Sequence, residues 1–78
     1  MRKKRPYRLI TFHTTHEAIA MEKYCGAHGI PGRLIPVPRE ISAGCGLAWR
    51  MMPEDYLAFR NQIDTNALKY EQVHELTM

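Results

Sequence analysis

A chain of 78 residues holds one domain at most, because a protein this small buries only about 60–65 per cent of the surface that its unfolded chain exposes. Its apolar runs are far too short to cross a bilayer, and the basic start MRKKR leads into Pro6, Tyr7 and Arg8 rather than into an apolar stretch; neither a membrane span nor a secretory leader is expected, and the chain reads as cytoplasmic. The net charge of +3 is local, since Arg2, Lys3, Lys4 and Arg5 hold four of the eleven basic side chains and the remainder sets seven basic against eight acidic groups. The expectation is a basic arm over residues 1–6, solvated and mobile, followed by one near-neutral domain over residues 7–76. Such an arm holds a polyanion only weakly, so nucleic acid is not an expected partner.

YRLITF, Tyr7 to Phe12, is rich in aromatic and β-branched residues and predicts a strand. Thr14 with Glu17 three residues on predicts a capping box at the start of a helix, Thr15 to His28, with Ala18, Met21 and Cys25 on its apolar stripe and Gly29 closing it. GRLIPVP, Gly32 to Pro38, predicts a second strand; Pro36 cannot donate to a ladder and places it at a sheet edge. A nine-residue loop, PREISAGCG, separates it from a third strand, Leu47 to Met52, in which Trp49 and Met51 share one face and Ala48 and Arg50 the other. Pro53, Glu54 and Asp55 open a second helix with the stripe Tyr56, Phe59 and Ile63, Leu57 beside it, and an end near Thr65 or Asn66. KYEQVHEL, Lys69 to Leu76, predicts a last strand.

The order β-α-β-β-α-β is that of the ferredoxin-like α+β fold, a four-stranded antiparallel sheet with two helices on one face, and it too puts the second strand at an edge. In that topology the first strand ends, the first helix begins and the second strand passes to the third at one end of the sheet. Cys45 falls at that end together with His13, Thr14 and His16. A helix start carries roughly half a positive charge, and with two imidazoles nearby it forms a setting that stabilises a thiolate. His13 and His16 are the candidate proton partners. Gly44 and Gly46 leave the sulfur approachable, and with Ser42, Arg39 and Thr14 they complete the candidate binding set; turn geometry alone explains the glycines and Ser42 as well. Arg39, Glu40 and Arg50 read equally as anion or partner contacts and as surface ion pairs.

Cys25 lies on the buried stripe and reads as a small core hydrophobe about 15 Å down the helix, too far to bridge to Cys45. His13, His16 and Cys45 supply three ligands of suitable softness but no evident fourth, so no metal site and no cofactor are expected. No paired carboxylates, phosphate-binding glycine loop or serine nucleophile pattern is present.

LITFHTTHEAIAMEK, then GIPGRLIPVPREISAGCGLAWR and PEDY, resemble a family of small bacterial proteins described as selenium/sulfur carrier-like, over about Tyr7 to Ile63. The resemblance implies a carrier cysteine at Cys45 that holds sulfur or selenium as a persulfide or its selenium analogue. It implies a group carrier rather than a stand-alone enzyme, served by a donor such as a cysteine desulfurase and by an acceptor protein. The alternative is a regulatory or assembly module that binds a protein partner, or a second copy of itself, through an edge strand.

Overall fold

β-Branched and aromatic residues build the first strand, β1, over Pro6–Thr11 in the computed structural model, which describes residues 4–41, 45–65 and 68–77. α1 spans Thr15–Ala27, β2 Arg33–Pro36, β3 Leu47–Met51, α2 Pro53–Thr65 and β4 Gln72–Thr77. The strands form one antiparallel sheet in the order β2-β3-β1-β4. This is the ferredoxin-like α+β arrangement, with β2 on an edge as Pro36 and the element order both require.

The two faces of the sheet are covered differently. Ile10, Trp49 and Met51, with Phe12 just beyond β1, pack against Ala18, Met21 and Cys25 of α1 and Ile63 of α2. Phe12, Ile10 and Met21 are fully sealed, and a large apolar side chain so buried stabilises the fold by about 1.5–3 kcal/mol. On the other face Leu9 and Ala48 are equally sealed, and the residue that joins them is Ile41, from the loop after β2. Trp49 and Ala48 therefore point to opposite faces, as the period of two demands.

Element boundaries shift where the backbone has other hydrogen-bond partners. β1 takes in Pro6, paired with Thr77, so the last residue assigned to the basic arm belongs to the sheet; Lys4 and Arg5 are exposed, and Met1 to Lys3 lie outside the described residues. β2 is confined to four residues by Gly32 on one side and by the run of prolines on the other. β4 begins at Gln72 rather than Lys69, because Tyr70 donates its hydroxyl to Asp64 at 2.8 Å and the chain joins the sheet only where the Glu71 amide donates to the Thr11 carbonyl at 2.7 Å. α1 ends as expected: the Ile30 amide donates back to the Cys25 carbonyl at 2.9 Å across Gly29, whose φ is 67°. The apolar stripe of α2 buries Ile63 and part of Tyr56 and Phe59, while Leu57 faces solvent.

Candidate functional site

The cysteine loop leaves and rejoins the sheet through a narrow neck. The Val37 amide donates to the Gly46 carbonyl at 2.9 Å, and Gly46 sits at φ 76°, a backbone state open to glycine and strained for most other residues. Between them the Ile41 amide donates to the Pro38 carbonyl at 3.0 Å, closing a turn that carries the Ile41 side chain onto Leu9 and Ala48. The turn from Pro38 to Ile41 is thereby pinned to the helix-free face of the sheet. Arg39 and Glu40 are exposed on that turn; Ser42 and Gly44 lie outside the described residues.

Cys45 stands immediately before the neck closes. Its side chain is partly buried and rests against the edge of the helix-side core, and its Sγ lies 3.6 Å from the Leu47 carbonyl, to which the thiol donates. Cys25, by contrast, has no exposure, and burial pushes its thiol up to about 11. Both cysteines are free, and they differ in burial.

The register confirms which elements meet near the thiol. Pro36 pairs with Leu47, and Thr11 pairs with both Ala48 and Gln72, so the end of β1, the start of α1, the end of β2 and the start of β3 share one end of the sheet. Thr14 caps α1, its Oγ1 accepting from the Glu17 amide at 3.2 Å. The reciprocal arm of the capping box lands one residue early. The Glu17 carboxylate accepts from the His13 amide at 2.9 Å and lies 3.3 Å from His13 Nδ1. These contacts, led by the His13 amide, hold the Glu17 carboxyl below its usual range.

The structure thus joins His13, Thr14 and Glu17 directly, and brings Cys45 to the same end of the sheet without a hydrogen bond from either imidazole among the described residues. His16 is exposed and lines a hollow of about 270 Å³ with Glu17, Ala20, Leu68 and Lys69. Arg50 lies away from this end, paired with Arg33. No group of three or more His, Cys, Asp or Glu side chains among the described residues is arranged to hold a metal ion. The sequence reading missed two features. Ile41 was visible only as a lone apolar residue in a polar loop, and the His13–Glu17 pairing was hidden by the capping role given to Glu17, although its i, i+4 spacing is readable.

The cap has a measurable weight. Thr14→Ala, which leaves the Glu17 amide without its acceptor, is expected to lower stability by about 1 kcal/mol in denaturant unfolding, with a smaller loss for Thr14→Ser.

Sheet order and loop neck together describe a ferredoxin-like domain that presents one partly buried thiol where the loop after β2 rejoins the sheet. The chain belongs to the family described as "Putative Se/S carrier protein-like", whose model matches residues 7–75. No curated protein and no solved structure matches the chain. No helix among the described residues is long and apolar enough to cross a membrane.

Proposed function

We propose that the protein carries sulfur or selenium on Cys45 between a donor and an acceptor protein in the cytoplasm. The observation that carries this reading is the contrast between the two cysteines: Cys25 is sealed in the core, while Cys45 is partly open at the loop neck. A shallow domain of this kind offers a thiol to another protein more readily than it encloses a substrate. Membership of the carrier-like family supports the same reading.

The transfer is redox-neutral overall. The Cys45 thiolate attacks the outer sulfur of a donor enzyme's persulfide, the new S–S bond forms as the donor's S–S bond breaks, and the donor cysteine leaves as a thiolate that takes up the proton lost from Cys45. The acceptor's thiolate then repeats the exchange on the Cys45 persulfide. With selenium as the outer atom the electron count is the same. His13 and His16 serve as proton partners at the shared end of the sheet, Arg39 and Thr14 contribute to the docking surface, and Ser42, Gly44 and Gly46 are assigned to the same binding set on the sequence alone.

The test is incubation of wild type and Cys45→Ser with a cysteine desulfurase and free cysteine, followed by intact-mass measurement. Wild type is expected to gain one sulfur atom that a reductant removes, and Cys45→Ser to gain none. Equal gain in both proteins would refute the assignment. A second reading rests on β4, a six-residue strand at a sheet edge: strand addition there makes the domain a partner-binding module or homodimer in which Cys45 is incidental. Partner binding or dimerisation that persists unchanged in Cys45→Ser, with no sulfur loading of wild type, selects it.

A further inference from the structure

Arg33 and Arg50 are direct cross-strand partners on β2 and β3. Like charges placed opposite one another on one face of a sheet repel and destabilise it. Elsewhere in the same sheet the pattern is the reverse: Arg8 faces Glu75 across β1 and β4 and pairs with it at 2.9 Å. Among the described residues neither Arg33 nor Arg50 has a carboxylate within ion-pair distance. Because the body of the chain is close to neutral, this is a local concentration of positive charge rather than part of a general basic surface.

Arg33 and Arg50 both line a hollow of about 390 Å³, whose wall also includes Tyr7, Gly32, Met52 and Asp55. That volume is in the range of small-molecule sites. Arg50 is partly buried and held over the Tyr7 ring, its Cζ 4.9 Å from the ring centroid, a cation–π contact that fixes the direction of the fork before any ligand arrives. The start of α2 lies in the same wall, and the first backbone bond of that helix runs from the Tyr56 amide to the Met52 carbonyl, which leaves the preceding amides outside the helical ladder. Asp55, on the α2 side, confines an anion to the arginine side.

We infer that this hollow binds the oxyanion group, phosphate or carboxylate, of a small molecule, gripped between Arg33 and Arg50. An anion in the hollow would offset the like charges of the two register partners, and a planar or tetrahedral oxyanion matches the hydrogen-bonding fork of arginine. The site is separate from Cys45. The Arg33–Arg50 pair lies three register positions from Pro36–Leu47, roughly 10 Å along the strands at about 3.4 Å per residue. Arg50 also projects from the face opposite the one whose core Cys45 touches. Its occupancy is therefore testable whether or not Cys45 carries sulfur.

The experiment is an amide NMR titration of the full chain with inorganic phosphate and, in a second arm, with acetate, both at ionic strength held constant with sodium chloride. Saturable shifts at Gly32, Arg33, Arg50 and Met51 are expected, and the tighter of the two probes identifies the oxyanion. Arg33→Gln, on the edge strand, and Arg50→Gln should each weaken binding about tenfold, and the double variant should abolish saturation while its spectrum away from the site remains that of wild type. Arg50→Lys, which keeps the charge and loses the fork, should weaken binding as well. Shifts that rise linearly without saturation, or that are the same in wild type and in the folded Arg33→Gln protein, overturn the proposal.

Discussion

Gly32→Ala is expected to destabilise the protein by about 3 kcal/mol, a fall in melting temperature of about 15 °C for a domain of this size. The cause is twofold. Gly32 holds φ at 153°, a conformation that side-chain-bearing residues rarely adopt, and a Cβ built there meets Cε2, Cζ2 and Nε1 of Trp49 at under 3.0 Å. The indole has little room to withdraw, since Trp49 is 4 % exposed and packed into the helix-side core. Its Nε1 is buried with no hydrogen-bond partner among the described residues, so packing alone holds the ring. Gly26→Ala is the control, because nothing lies within 4 Å of its would-be Cβ and its φ is unexceptional; in the last turn of α1 that change should stabilise by up to about 1 kcal/mol. Thermal unfolding of the two variants beside wild type checks both statements. A Gly32→Ala protein that melts with wild type would show that the contact between the β2 approach and Trp49 is not as close as described.

Alkylation of the folded protein is expected to modify Cys45 and to spare Cys25 by a factor of roughly a thousand or more. Two effects act in the same direction on Cys25. It is reached only when the core opens, which in a stable small domain costs on the order of 5 kcal/mol, and its thiol, pushed up to about 11 by burial, supplies little thiolate near neutral pH. Intact mass after iodoacetamide should show one adduct under native conditions and two in denaturant, and peptide mapping should place the first on Cys45. Comparable native rates at both positions would contradict the packing of α1 on the sheet. The same burial sets a pH dependence of stability. Between the ordinary thiol value near 9 and about 11 the unfolded chain gives up the Cys25 proton while the folded chain keeps it, so this contribution is complete below about pH 9 and is lost as pH rises through 11. Cys25→Ala, although less well packed, should lose that alkaline slope.

Local chemistry made most of the fold readable in advance. Thr14, Gly29 and Pro53 mark helix ends because each satisfies or forgoes backbone hydrogen bonds in a way that few other residues can, and the caps stand where those residues predict. The stripe Ala18, Met21 and Cys25 and the opposed pair Trp49 and Ala48 follow from the periods of helix and strand. β4 was less sharply defined, because its start depends on Tyr70 and Glu71 meeting Asp64 and Thr11 from elsewhere in the chain.

Element order, the edge position of β2 and the contrast between a cysteine on an apolar stripe and one between glycines were legible along the chain, since these depend on dihedral preference and on spacing within a single segment. That Ile41 anchors to the helix-free face, and that Arg33 stands opposite Arg50 while Arg50 lies over the Tyr7 ring, emerged only from the folded chain. Each of those joins groups through pairing register or loop closure, and a one-residue slip of a strand would turn every one of its side chains to the other face.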